Sequence, residues 1–205
     1  MAKGQTVETR DAIDLLMDDH KRVDKLFGDF ENVDRDDADA VQELVEIACM
    51  ELQIHSILEE EIFYPAVRAE IADGDREGQD LLNEAEVEHE MVDELIAKLQ
   101  ELEPDDAMYA AYFAVLAEYV KHHVGEEETE LFPQVRAMSL DLQQLAEDMR
   151  LRREELFAEM EAGDEGDPDA DSEPAAELDE DGLESVDEDE AEDAQEQVNA
   201  SRTRH

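Results

Sequence analysis

The stretch His55-Ser56-Ile57-Leu58-Glu59-Glu60-Glu61-Ile62-Phe63-Tyr64-Pro65-Ala66-Val67-Arg68 recurs 68 residues later, without a gap, as His123-Val124-Gly125-Glu126-Glu127-Glu128-Thr129-Glu130-Leu131-Phe132-Pro133-Gln134-Val135-Arg136. His, Glu-Glu, Pro, Val and Arg coincide, and an aromatic residue precedes each proline. Upstream, His20-Lys21-Arg22-Val23-Asp24-Lys25-Leu26 matches His89-Glu90-Met91-Val92-Asp93-Glu94-Leu95 at a shift of 69. Each half of the chain thus supplies one segment with a single histidine, followed by a segment carrying His-x-x-x-Glu.

These segments have helical periodicity. In residues 9–31 the apolar stripe is Ile13, Leu16, Val23, Phe27 and Phe30, with His20 filling the gap. Residues 37–70, 79–102 and 107–138 carry comparable stripes around His55, His89 and His123. A shorter fifth stripe spans residues 141–161. Asp73-Gly74-Asp75 and Glu103-Pro104-Asp105-Asp106 break the pattern as turn residues do, and Asp105 or Asp106 is placed to cap the following helix. The fold expected is all-α. An antiparallel up-down four-helix bundle over residues 10–138 is built from two related hairpins and preceded by a flexible N-terminus, residues 1–9. A short additional helix, 139–161, follows. Residues 162–205 read as a disordered acidic tail, because acids, Ala, Ser and Gly dominate there and aromatic residues vanish.

A purely structural repeat needs only matching apolar positions. This one also matches four histidines and two glutamates on inward faces. Burying imidazoles and carboxylates strips them of water, and a bound cation compensates that loss directly. Residues four apart lie one turn apart on the same face, so His55 with Glu59, and His123 with Glu127, each reach a common centre. Mixed imidazole and carboxylate donors suit iron, manganese or zinc.

Asp19-His20, His55 through Pro65, Glu88-His89-Glu90 and His123 through Pro133 resemble the signature of the hemerythrin-like, HHE cation-binding family over roughly residues 10–138. The resemblance implies a non-haem di-iron centre (Fe2+/Fe3+), with manganese or zinc as alternatives. Glu59 and Glu127 would bridge the two ions, His20 and His55 serving one and His89 and His123 the other. Oxygen-carrying members use five histidines, and only four align here. His122, beside His123, points about 100° away and faces solvent. Glu86, three residues before His89, is the better candidate for an extra ligand. Two six-coordinate ions offer about twelve positions. Four imidazoles, two bridging carboxylates and a bridging oxide or hydroxide leave one open position per ion. The ligands expected are therefore oxygen, peroxide or nitric oxide.

Nearby residues carry further expectations. Tyr64 and Phe132 should pack over the centre and shield it, and Pro65 and Pro133 should bend or end their helices. Gly125, within a helical turn, suggests close approach of a neighbouring helix or room for a small ligand. Cys49 reads as a small packed side chain and excludes an intrachain disulfide.

Acids outnumber bases 63 to 16, a formal net charge of -47. Such a charge repels nucleic acid and anionic membranes, and neither is expected as a partner. No apolar run is long enough to span a membrane, and no secretory signal opens the chain, so a cytoplasmic location is expected. The functional classes left are reversible oxygen binding or sensing, an enzyme that decomposes peroxide or handles nitric oxide, and iron storage or buffering. A stand-alone di-iron protein that binds oxygen or a related molecule fits best. Oligomeric state is not legible.

Overall fold

The computed structural model describes residues 10–72 and 75–164, and among these no strand occurs. The expected flexible N-terminus, the Asp73-Gly74 break and residues 165–205 of the expected acidic tail lie outside the described residues, whereas residues 162–164, expected in that tail, belong to the last helix. The helices are α1 (Ala12–Asn32), α2 (Ala38–Leu58), α3 (Tyr64–Glu70), α4 (Arg76–Gln100), α5 (Tyr109–Glu126), α6 (Phe132–Val135) and α7 (Leu142–Asp164). A π-helical turn, Glu59–Phe63, joins α2 to α3, and a second, Glu127–Leu131, joins α5 to α6. The bundle therefore has four rods: α1, α2–α3, α4 and α5–α6. No helix among the described residues is long and apolar enough to cross a membrane.

Aspartates start most of the helices. Asp11 and Asp14 form a reciprocal capping box at α1, and Asp37 and Asp75 accept the backbone N–H groups of Ala40 and Gly78. Asp141 accepts that of Gln144. Asp106 stands two residues before the N-cap, Met108: its carboxylate accepts the Met108 N–H at 2.7 Å, and α5 itself has no side-chain cap.

Cross-rod contacts run in opposite directions along neighbouring rods. Arg22 meets Glu51 while Asp19 meets His55, and Asp24 meets Lys121 while His20 meets Glu127. These pairs make α1 antiparallel to both α2 and α5. The fifth helix, α7, packs on α1 and α2, with Arg152 bonded to Glu61 and Arg150 to the Arg10 carbonyl.

The prolines do not end their rods. Proline lacks an N–H and its ring crowds the carbonyl four residues back, which would break a regular α-helix. Here the chain widens by one residue just before each proline. Tyr64 donates its N–H to the Glu59 carbonyl and Phe132 to that of Glu127, both five residues back. Each proline then occupies the first turn of the next α-segment, where no donor is needed.

The apolar interior is divided in two. One cluster holds Ile13, Leu16, Leu58, Phe63, Leu82, Phe132, Val135 and Met149; the other holds Val23, Phe27, Phe30, Val45, Leu52, Ile96, Phe113 and Leu116. Along α1 the change falls between Leu16 and Val23, where Asp19 and His20 are buried. The layer that separates the clusters contains all six donor side chains. In the second cluster Phe113 is 1% exposed, and its ring lies 4.2 Å from that of Phe30 and 5.5 Å from that of Phe27. Phe113→Ala is expected to cost about 3–5 kcal/mol of stability, from lost burial plus a cavity. Urea denaturation checks this, and a loss below about 1 kcal/mol would show that the cluster can collapse around the gap.

Candidate metal centre

His20 comes from α1, His55 from the end of α2, His89 from α4 and His123 from the end of α5; Glu59 and Glu127 open the two π-turns. All six are buried, Glu59 completely. Donor atoms of His20, His55, Glu59 and Glu127 lie within 4.8 Å of one another, and those of Glu59, His89 and His123 form a second such group. Glu59 belongs to both. Glu127 also approaches the second group, with its Oε2 3.5 Å from His123 Nε2.

Each histidine turns its Nδ1 outward to a carboxylate. His20 Nδ1 is 2.9 Å from Glu128, His89 Nδ1 2.8 Å from Glu60, and His123 Nδ1 2.8 Å from Glu88. A carboxylate only accepts, so these contacts place a proton on Nδ1 and leave the inward Nε2 to carry a second proton or to bind a cation. At His89 and His123 the two Nε2 atoms face each other at 3.2 Å, within reach of one shared proton or one ion. His55 differs: its Nδ1 is 3.6 Å from Asp19.

Electrostatics in the cluster is tightly balanced. Burial alone would lower the His55 pKa, but Glu59 and Asp19 outweigh it and hold it well above the ordinary imidazole value. His89 is likewise raised to about 9, burial being overcome by Glu59 and Glu60. Burial would raise the Glu59 pKa, and the neighbouring imidazoles drive it well below the carboxylate range instead. The residues thus have two means of neutralisation, protons on the imidazoles or a cation among the donors.

Orphaned atoms favour the cation. His20 Nε2, both nitrogens of His55, Glu59 Oε1 and Glu127 Oε2 are buried without a hydrogen-bond partner. Yet His20 Nε2 is 3.2 Å from Glu127 Oε2, and His55 Nε2 is 3.1 Å from Glu59 Oε2. These pairs are close but fail hydrogen-bond geometry. Two ligands about 2.1 Å from one ion and at right angles stand about 3 Å apart, which is the separation seen. The donor set therefore fits metal ions.

Two residues depart from expectation. Glu86 is not brought to the centre; it is 45% exposed and bonds Arg68 at 2.7 Å. The inward stripe of α4 runs through Ala85, His89 and Val92, four and three residues apart, which leaves position 86 on the flank. Gly125 is exposed, and a Cβ added there meets nothing within 4 Å, so no neighbouring helix approaches it. His122 is 66% exposed, beside Glu126 and Glu88. Cys49 is buried and free, its thiol pushed up to about 12 by burial and by Glu46.

Tyr64 does more than pack. Its ring stacks on His89 at 5.7 Å, and its hydroxyl lies 2.9 Å from Glu127 Oε1 and 3.3 Å from Glu59 Oε2. Burial and the two carboxylates hold the phenol well above its ordinary pKa, so it is a proton donor to both. Residues five apart on an α-helix lie about 140° apart around the axis. The π-turn brings residue 64 over residue 59 instead.

A family model for the hemerythrin HHE cation binding domain matches residues 11–135. The chain belongs to this family. Among solved structures, an HHE cation binding domain-containing protein from Mycobacterium kansasii matches with a TM-score of 0.62 and 21% identity, over 74% of this chain and 90% of that one. At that identity the likeness establishes the fold alone. A DNA nickase from Nostoc sp. strain PCC 7120 is 28% identical over 136 residues, 66% of this chain. The chain spans 36% of that relative's length, so the activity in its name belongs to the larger protein. As an HHE domain, the chain binds cations, and the π-turns are what the repeat did not disclose.

Gly125→Ala is expected to leave metal content unchanged and to raise stability by up to about 1 kcal/mol, the helix-propensity difference. Thermal unfolding and metal analysis check this; a drop in bound metal would restore a functional role for the glycine.

Proposed function

We propose that His20, His55, Glu59, His89, His123 and Glu127 hold two iron ions, with Glu59 and Glu127 between them, and that the centre binds or reacts with oxygen or a related small molecule. The observation carrying this reading is the set of buried donor atoms that converge without hydrogen-bond partners: His20 Nε2, His55 Nε2, Glu59 Oε1 and Glu127 Oε2. Buried polar atoms left without partners are costly, and a cation among them satisfies several at once. Imidazole with carboxylate suits iron better than it suits calcium or magnesium. When bound, an iron pair supplies electron exchange with oxygen, peroxide or nitric oxide.

The chain's own residues fit a small neutral ligand. A cavity of about 20 Å³ adjoins the donors, lined by all four histidines together with Val23, Leu52, Val92 and Val120. A space of about 10–15 Å³ admits one water-sized molecule, so this one excludes anything much larger. The valines and leucine keep it apolar on the side away from the carboxylates. Nucleic acid and membranes are not proposed as partners, because a chain of net charge -47 is repelled by both.

A second reading, a peroxide-decomposing or nitric-oxide-handling enzyme, has one observation in its favour. Tyr64 places a protonated hydroxyl against Glu59 and Glu127, where a proton would be needed on leaving oxygen.

Protein expressed with ample iron should carry about two irons per chain, and the reduced form should give a coloured product with oxygen that fades under vacuum. His55→Ala combined with His123→Ala, one donor from each group, should remove most of the metal. Full metal content in that double variant would refute the assignment. Tyr64→Phe separates the two readings. It should retain both irons, and slow peroxide decomposition about a hundredfold if the hydroxyl is the proton donor. Oxygen-electrode rates that are the same in both proteins would dismiss the enzymatic role of Tyr64.

A further inference from the structure

The repeat relates not only the donors but also the outer carboxylates. Glu60 corresponds to Glu128, and each holds a histidine of the opposite half. Asp19 corresponds to Glu88, and each stands beside the histidine at the end of its own hairpin. Three of these four carboxylates accept directly from Nδ1 at 2.8–2.9 Å. The fourth does not: Asp19 Oδ2 is 3.6 Å from His55 Nδ1, and that nitrogen is buried without a partner.

The reason is visible. The Asp19 oxygen that faces His55 is bonded by the guanidinium of Arg153. Its other oxygen accepts from Arg22 at 2.9 Å. Both arginines also approach Glu51, Arg22 at 2.7 Å and Arg153 at 3.7 Å. The two acids and two bases form a neutral quartet against the bundle wall, with Asp19 only 3% exposed. Among the described residues, none of the other three outer carboxylates meets an arginine or lysine within ion-pair distance. Arg153 lies on α7, beyond residue 135 where the family match ends.

A histidine whose Nδ1–H is hydrogen-bonded to a free carboxylate is a stronger donor through Nε2, and losing such a partner typically costs 10–100-fold in metal affinity. From this we infer that α7 makes the two metal positions unequal: Arg153 claims the Asp19 oxygen that His55 needs, so the position built on His20 and His55 holds its ion less tightly than the one built on His89 and His123. Arg153 is thus a positioning residue that acts through Asp19 on His55. The inference rests on the proposed two-metal centre.

Two measurements test it, one without metal. In the metal-free protein, 15N–1H spectra of the histidine rings should show three Nδ1–H protons in strong hydrogen bonds and His55 as the exception. In Arg153→Met the His55 signal should move toward the other three. In anaerobic titration with Fe2+ or Co2+, the full-length protein should load in two unequal steps. Arg153→Met should tighten the weaker step by about tenfold or more. Because Arg153→Met also removes an anchor of α7, the Arg153→Met, Asp19→Asn double variant is the control. It should lose the gain entirely, whereas loosening of α7 alone would affect both variants alike. Two equal steps in the unaltered protein, or identical titrations of the single and double variants, would overturn the inference. If the short Asp19 side chain alone caused the gap, Arg153→Met would leave the His55 signal in place, which also overturns it. A chain that takes up neither ion defeats the two-metal reading instead, and the ring spectra still decide whether Arg153 withholds Asp19 from His55.

Discussion

Six ionisable side chains lie in a single layer between two apolar clusters, and the molecule is organised around keeping that layer neutral. Apart from the Tyr64 hydroxyl, the clusters give the layer no hydrogen bonds, so charge compensation comes from within the layer, from the carboxylates around it or from something it binds. An uncompensated buried charge costs several kcal/mol, a large part of the total stability of a domain of this size. The carboxylates of Glu59 and Glu127 face the imidazoles of all four rods. Removing either glutamate leaves two imidazoles without their inward carboxylate. The bundle is therefore a container whose contents decide whether its middle is stable.

Outer contacts fix the layer's chemistry. Glu60, Glu88 and Glu128 hold the protons of His89, His123 and His20 on the outward nitrogens. The inward nitrogens are left to take either a second proton or a cation. Glu60 and Glu128 each reach across to the other half, so the two hairpins are locked together through histidines rather than through apolar contacts alone. The same contacts orient the rings, which restricts the directions from which an ion or small ligand approaches.

Much of this was legible in the sequence. The helical stripes around His20, His55, His89 and His123 place the four rods to within a few residues, because long amphipathic periodicity is a strong signal. The duplicated His-x-x-x-Glu brings the six donors together in the reading as in the fold. What stayed hidden depended on small shifts of angle. Glu86 and Ala85 differ by one position, and only the packing of α4 decides which of them faces inward. The π-turns follow from Pro65 and Pro133, but a kink, a break and a one-residue widening are equally consistent with a proline in a helical pattern. Without the widening, Tyr64 reads as packing. The role of Arg153 depended on where α7 docks, and no spacing rule links residue 153 to residue 19.

Two of the differences between the halves fall at positions where packing is satisfied either way. Phe132 stacks on His20 at 5.8 Å as Tyr64 stacks on His89 at 5.7 Å, so the bundle requires only an aromatic ring at both places. The hydroxyl on one of them is an addition that the packing does not demand. Asp19 and Glu88 likewise both lie beside a histidine, and the one methylene between them costs the fold little. Duplication by itself gives two equivalent halves and hence two equivalent sites. Tyr64 breaks that equivalence by adding a polar contact on one side only, and Asp19, held by Arg22 and Arg153, breaks it by leaving His55 Nδ1 without one. A protein selected merely to contain cations has no need of such inequality. One whose ions must differ in affinity or reactivity does, and in this chain the departures from symmetry fall on groups that touch the donors.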